Sequence, residues 1–199
     1  MYKKYGKRIF DVIASSFALV LFSWLFVLLS LAIKLTSKGP ILFKQKRVGK
    51  NKKHFYIYKF RTMRTDTPKD MPTHLLANPE KYITPIGRFM RKTSLDELPQ
   101  IFNILKGDMS IVGPRPALWN QYDLIAERDK YRANKIRPGL TGWAQINGRD
   151  EIEIPLKAKL DGYYVKKESF SFDIYIIIAT VFSVLRHEGV KEGGTGAKK

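Results

Sequence analysis

The sequence predicts an α+β fold, mostly helical with a small β-hairpin, in which an N-terminal re-entrant membrane helix (residues 1–36) precedes one further domain (residues 37–199). Three observations support this prediction. Residues 12–33 are apolar and uncharged, two β-prone runs flank a turn between residues 43 and 60, and helix signals recur after residue 83. Residues 37–199 are long enough for one domain with its own core.

The apolar segment from Val12 to Ile33 would measure roughly 33 Å as a straight helix, and a bilayer's hydrocarbon core is about 30 Å thick. Basic residues flank both of its ends, and no acidic residue lies between Asp11 and Asp66. Since lysine and arginine favour the cytoplasmic side, a helix that enters and returns on that side satisfies both flanks, and a plain single span is the alternative. The hydroxyls of Ser23 and Ser30 could support the bend. A cleaved signal peptide is disfavoured, because residues 31–34 offer no cleavage site.

The domain begins with a predicted hairpin. Its strands are residues 43–48 and 55–60, around a turn at residues 49–51, with Lys59 and Arg61 on the second strand. Residues 64–80 contain three prolines and predict a loop. Thr84 before Pro85 predicts a short helix that carries Arg88 and Arg91.

Two adjacent carboxylates, Asp96 and Glu97, stand out in a chain with 36 Lys and Arg against 18 Asp and Glu. Ser94 and Glu97 fit a capping box, but a helix that begins at Pro99 is equally consistent with the pattern. Apolar residues at helical spacing follow, and Gly107 is a reasonable C-terminal stop. Either start places both carboxylates at the positive end of a short helix, which would keep Asp96 ionised.

Further along the chain, residues 119–132 and 174–185 predict helices, the second too short to span a bilayer and either buried or lying on a surface. Residues 137–149 hold three glycines between Arg137 and Arg149. This segment is either a loop that wraps an anion or an ordinary glycine-rich turn. The tail at residues 193–199 is predicted to be flexible.

Missing residue types exclude several kinds of chemistry. The chain has no cysteine, which excludes thiol nucleophiles and disulfides, and its three histidines are scattered without zinc-like spacing. No P-loop or dinucleotide fingerprint occurs. Mg²⁺ stays compatible with the sequence, because it needs only one or two carboxylates in addition to substrate phosphates.

Several motifs in fixed order closely resemble those of the bacterial sugar transferase family, the small monotopic phosphoglycosyl transferases. They are residues 58–63 (YKFRTM), 94–100 (SLDELPQ), 107–110 (GDMS), 113–116 (GPRP), 137–142 (RPGLTG) and 145–149 (QINGR). Together with the basic and apolar N-terminus, the resemblance covers essentially the whole chain.

The resemblance implies transfer of a sugar 1-phosphate from a UDP-sugar to undecaprenyl phosphate, with release of UMP, by a catalytic domain on the cytoplasmic face of the bacterial inner membrane. It implies Asp96 as the nucleophile that forms a covalent phosphosugar intermediate, Glu97 as its support, and Mg²⁺ held by both. The remaining family positions are implied to bind substrate: Lys59, Arg91, Arg115, Arg137, Gln145 and Arg149. Expected partners also include membrane lipids and a possible homodimer, and no nucleic acid.

One departure from the family pattern concerns the anchor. Members of this small type often have Ser-Pro in the middle of the anchor, whereas this chain has Ser23-Trp24. Two other functions are compatible with the composition: a membrane-tethered nucleic-acid binder, given a pI near 10.0, and a scaffold without catalytic activity. The sequence does not indicate which sugar is transferred.

Overall fold

The computed structural model describes residues 2–68, 78–148 and 152–186, which form a mostly helical protein with two small sheets. The helices are α1 (Lys7–Leu21), α2 (Ser23–Thr36), α3 (Pro85–Lys92), α4 (Gln100–Lys106), α5 (Tyr122–Lys130), α6 (Trp143–Ile146), α7 (Ile154–Lys167) and α8 (Phe170–Leu185). The strands are β1 (Leu42–Val48), β2 (His54–Phe60), β3 (Ser110–Val112) and β4 (Gly139–Thr141). This architecture agrees with the predicted α+β class.

The predicted hairpin is confirmed, and each strand is one residue longer than expected. β1 pairs antiparallel with β2, from Leu42 opposite Phe60 to Val48 opposite His54. Arg61 lies just beyond β2 rather than on it. Phe55 and Ile57 are buried against Ile104 of α4, so only alternate residues of the aromatic run 54–58 face outward.

A second sheet was not predicted. β3 and β4 pair in parallel, with Ser110 opposite Gly139 and Val112 opposite Thr141. β4 therefore occupies the start of the glycine-rich segment that was predicted to be a loop. Gly113 and Gly139 let the two backbones approach, since a Cβ at Gly113 would lie 2.6 Å from the Arg137 carbonyl oxygen.

The N-terminal helix pair that is predicted to be the membrane anchor is bent. α1 and α2 meet at Phe22 with an angle of 61° between them, and the Ser23 hydroxyl donates to the Val20 carbonyl at 2.9 Å. This is the hydroxyl contact predicted for a bend, and it forms although Trp24 stands where the family often has proline. No single helix in the described ranges is long and apolar enough to cross a membrane, whereas the bent pair passes that test of length and composition together.

Both arms of the anchor pack against the same domain. Along α1, Lys7, Asp11 and Ser15 are buried at helical spacing, and Asp11 accepts hydrogen bonds from the Ser110 hydroxyl and the Ile111 amide, each at 3.0 Å. Along α2, Leu29 and Ile33 are buried with Phe60 and Met90. Large apolar residues on the sides of both arms that face away from the domain are exposed, among them Ile13, Phe17, Val20, Trp24, Val27 and Leu31.

The remaining elements differ in part from their predictions. α3 begins at Pro85 with the Thr84 hydroxyl as its cap, as predicted. α5 covers only Tyr122–Lys130 of the predicted 119–132, and α8 begins four residues earlier than predicted, capped by Ser169. α7 was not predicted. The predictions for the middle of the 64–80 loop and for the 193–199 tail lie outside the described residues.

Candidate active site

The acidic pair lies on a short 3₁₀ turn, Leu95–Glu97, between α3 and α4. Ser94 has φ +56°, a left-handed conformation that turns the chain out of α3, and its side chain makes no capping hydrogen bond. The capping-box interpretation is therefore wrong. Pro99 precedes α4 at φ −62°, so the alternative start near Pro99 is the one observed. Gly107 ends α4 in the left-handed region, as predicted.

Two leucines fix this turn against α2. Leu95 and Leu98, on either side of the carboxylates, pack into the cluster that contains Leu29 and Ile33 of α2. Asp96 between them is buried, with 8% of its surface exposed. The turn that carries the carboxylates therefore packs directly against α2.

Two cations reach Glu97 from other elements. The Lys59 ammonium on β2 donates to Glu97 Oε1 at 2.6 Å, and the Arg115 guanidinium, two residues beyond Gly113, lies 3.4 Å from the same oxygen. Burial alone would raise the pKa of Glu97, but the charges and hydrogen bonds of Lys59 and Arg115 outweigh it and lower that pKa to about 2. Glu97 is therefore an anion at any physiological pH.

The pKa of Asp96 is shifted in the opposite direction to the pKa of Glu97. Burial raises the pKa of the Asp96 carboxyl above its ordinary value, and the adjacent negative charge of Glu97 adds to this effect. Lys59, 3.8 Å away, opposes the rise, as do Arg91 and Arg115. Burial therefore opposes the ionised form of Asp96 that the helix end was expected to favour, and the surrounding cations support that form.

Of the other predicted binding residues, one lies close to the carboxylates and two form hydrogen bonds elsewhere. Arg91 acts electrostatically on Asp96 and donates from Nε to the Thr62 hydroxyl at 3.1 Å. Arg137 instead donates to the Gly107 carbonyl at 2.8 Å, and Gln145 donates to the Leu140 carbonyl at 3.1 Å. In the described part of the chain neither of these two contacts the carboxylates. Arg149 lies outside the described residues.

Gln100 is a residue that the sequence reasoning did not single out. It follows Asp96 by four residues and is 2% exposed, yet its Nε2 has no hydrogen-bond acceptor among the described residues. A buried donor without a partner is unusual in a folded protein. Its place in the SLDELPQ run was the available signal.

A metal ion at the acidic pair would have few protein ligands. Across the described ranges, no group of three or more His, Asp or Glu residues is placed to hold a metal. Mg²⁺ usually takes only one or two carboxylates and completes its shell with water and substrate phosphates. Asp96 and Glu97 meet that minimal requirement, although Glu97 Oε1 is already bonded to Lys59.

Comparison with known proteins agrees with the resemblance seen in the motifs. The family model described as bacterial sugar transferase matches residues 2–187. The chain is 44% identical to the uncharacterized sugar transferase EpsL of Bacillus subtilis (strain 168), over 94% of this chain and 90% of that protein.

Two longer relatives carry more specific names. The chain is 41% identical to UDP-glucose:undecaprenyl-phosphate glucose-1-phosphate transferase of Escherichia coli (strain K12), over 88% of this chain. It is 38% identical to UDP-N-acetylgalactosamine-undecaprenyl-phosphate N-acetylgalactosaminephosphotransferase of Aeromonas hydrophila, over 93% of this chain. The chain spans only 39% and 45% of these two proteins, respectively. A family match along nearly the whole chain, together with the buried acidic pair and its cations, shows that the chain belongs to the bacterial sugar transferase family.

Proposed function

We propose that this protein transfers a sugar 1-phosphate from a UDP-sugar to undecaprenyl phosphate and releases UMP. The observation that carries the proposal is the Asp96–Glu97 pair, with Asp96 buried and Glu97 largely so, which is surrounded by cations and packed against the anchor through Leu95 and Leu98. Cations beside the pair suit a diphosphate donor. The adjacent anchor suits an acceptor whose long apolar chain stays in lipid.

In the proposed first step, an Asp96 carboxylate oxygen attacks the phosphorus that carries the sugar. A new bond forms from this oxygen to phosphorus, the bond from phosphorus to the bridging oxygen breaks, and UMP leaves with that oxygen. In the second step, an oxygen of undecaprenyl phosphate attacks the same phosphorus and displaces the Asp96 carboxylate. A carboxylate serves both as nucleophile and as leaving group, which divides one displacement into two.

The neighbouring residues support these steps. Lys59, Arg91 and Arg115 favour the ionised form of Asp96 and attract the negatively charged donor. Glu97, kept ionised by Lys59 and Arg115, holds these two cations beside the nucleophile. Mg²⁺, when held by Asp96 and Glu97, would supply neutralisation of the diphosphate charge. The buried Gln145 Oε1, which lacks a partner among the described residues, suits a donor group on the substrate.

We further propose that residues 1–36 form a re-entrant anchor and that residues 37–199 form the catalytic domain on the cytoplasmic face. The 61° bend and the packing of both arms on one domain support this topology, because a straight span would separate the arms. The formal net charge of +18 suits a surface of anionic lipids.

The topology is testable because the chain contains no cysteine. Single cysteines at the exposed positions Lys4 and Lys38 flank the anchor. In spheroplasts, a membrane-impermeant thiol reagent should label neither position, and both should react after lysis. Labelling of only one of them before lysis would show a span and contradict the re-entrant anchor.

The reaction is tested by Asp96→Asn. The variant should lose UMP release from a UDP-sugar with undecaprenyl phosphate and Mg²⁺, whereas Asp66→Asn, at an exposed carboxylate, should keep it. Wild-type enzyme given donor with a labelled sugar should carry the label on the peptide that contains residue 96. Substantial turnover by the Asp96→Asn variant, or label on another peptide of the wild type, would overturn the proposed nucleophile. UDP-glucose and UDP-N-acetylgalactosamine, the donors named in two relatives, are the first to screen.

A further inference from the structure

We propose that the outer face of the β1–β2 hairpin binds the phosphate headgroup of an anionic phospholipid between Lys44 and Lys106, beside Tyr58. These three residues are called the headgroup site below. The proposal rests on the membrane insertion of the anchor that is proposed above. It adds a lipid-binding site distinct from the reaction centre.

The headgroup site gathers two ammonium groups at one aromatic ring. Lys44 lies directly opposite Tyr58 in the strand register, and its Nζ is 5.6 Å from the ring centroid. Lys106, at the end of α4, places its Nζ 4.8 Å from the same centroid and donates to the Tyr58 hydroxyl at 2.9 Å. The ring thus holds both cations in one place.

The two cations lack a close counter-charge. Among the described residues, neither ammonium group forms an ion pair with a carboxylate within 4 Å, and Asp108 influences Lys106 only weakly from farther away. Both lysines are solvent-exposed. Like charges held close together repel each other, so an anion placed between them is favoured. A phosphate oxygen is such an anion, and lysine binds it as a point charge.

The headgroup site faces away from the reaction centre. Neighbouring residues of a strand point to opposite faces of a sheet. Lys59 directs its ammonium to Glu97, whereas Tyr58, the preceding residue, directs its ring to Lys44. A phosphate in the headgroup site is therefore separate from the phosphates that react at Asp96.

The position relative to the anchor identifies the occupant as a lipid. On the same face of the hairpin, the next cross-strand pair is Leu42 and Phe60, which packs against α2, where the Phe26 and Phe60 rings lie 5.6 Å apart. Phe26 also meets Phe102 of α4 at 5.7 Å. On this face of the hairpin, the pair of lysine and tyrosine thus follows directly after the apolar pair that packs against the anchor.

Tyrosine and lysine at the edge of an apolar membrane segment are typical of headgroup depth. α1 also reaches this end of α4, because Arg8 donates to the Leu105 carbonyl at 2.9 Å. The headgroup site therefore lies where the anchor leaves the hydrocarbon region.

The test measures binding of the full chain to vesicles at low salt, with phosphatidylglycerol in phosphatidylcholine or with phosphatidylcholine alone. The double variant K44A/K106A should bind the anionic vesicles roughly tenfold more weakly and the neutral vesicles unchanged. The control K50A/K53A removes the same charge from the exposed hairpin turn and should bind nearly as the wild type does. An equal loss of vesicle binding in both double variants would overturn the site, because the loss would then follow from the lower net charge and not from the position of the lysines.

A soluble anion is distinguished in the same experiment. If inorganic phosphate binds the wild type and not K44A/K106A, while both bind vesicles equally, the occupant is a free phosphate and the lipid proposal is overturned. UMP release in detergent should be the same for K44A/K106A and the wild type. Absence of UMP release from the wild type would overturn the proposed function and leave the vesicle result to be judged separately.

Discussion

At the scale of single residues, Lys59 is the cation shared by both carboxylates. Its ammonium lies 2.6 Å from Glu97 and 3.8 Å from Asp96, and its side chain is only 18% exposed. Attraction in such a buried place is stronger than at a surface. Lys59 therefore lowers the pKa of both carboxyls, and this outweighs burial at Glu97, whereas burial keeps the pKa of Asp96 raised.

Lys59→Met removes this shared charge and leaves two adjacent buried carboxylates with less compensation. We expect UMP release to fall at least a hundredfold and the free energy of unfolding to fall by about 2 kcal/mol, since an uncompensated buried charge is costly. Activity assays and urea denaturation measure the two effects. Lys59→Arg keeps the charge and should recover part of both, and Lys53→Met on the same hairpin should change neither. Wild-type stability in Lys59→Met would contradict the electrostatic role.

At the scale of elements, local sequence patterns predicted the helix ends that are determined by local interactions. Thr84-Pro85 and Gly107 fixed the start of α3 and the end of α4, because capping and left-handed glycine act within a few residues. β3 and β4 are three residues each and pair across the chain, so no local pattern indicated them.

The acidic pair and Lys59 were predictable from motifs. The contacts of Arg137 and Gln145 depend on how distant backbone segments meet, and motifs carry no such information.

The hairpin depends on a side chain that takes the place of a third strand. Asn103 of α4 is fully buried, accepts from the Tyr58 amide at 2.9 Å and donates to the Tyr56 carbonyl at 2.8 Å. These bonds satisfy one amide and one carbonyl on the edge of β2 that does not pair with β1. The strand that carries Lys59 is thereby fixed to the helix that follows the carboxylates.

Asn103→Ala should lower the free energy of unfolding by about 1–3 kcal/mol, because it removes two hydrogen bonds between a fully buried side chain and the partly buried backbone groups of Tyr58 and Tyr56. Chemical denaturation measures the change. Asn147→Ala, which removes an exposed side-chain bond to the Trp143 carbonyl, should cost no more than about 0.5 kcal/mol. Equal costs for the two substitutions would contradict the bridging role of Asn103.

At the scale of the whole molecule, Tyr2 and Lys7, at the start of the described residues, are fastened to α8. Lys7 forms an ion pair with Asp173 of α8 at 2.6 Å, and the hydroxyls of Tyr2 and Tyr164 donate to the same carboxylate. Asp173 is fully buried. One carboxylate thus joins the first arm of the anchor to the far end of the domain.

Asp173→Asn should destabilise the protein by about 3 kcal/mol, because the buried Lys7 ammonium loses its counter-charge. Hydrogen exchange should rise in α1 more than in the hairpin. Adding Lys7→Met should recover part of the loss, since the uncompensated cation is then removed as well. A double variant less stable than Asp173→Asn alone would contradict this account.

The partners Lys7 and Asp173 are 166 residues apart in the chain. During synthesis the first arm of the anchor leaves the ribosome long before the helix that fastens it exists, because translation proceeds from the N-terminus. α1 therefore lacks its ion pair with α8 through most of translation. The ion pair between Lys7 and Asp173 can therefore form only after α8 has been synthesised.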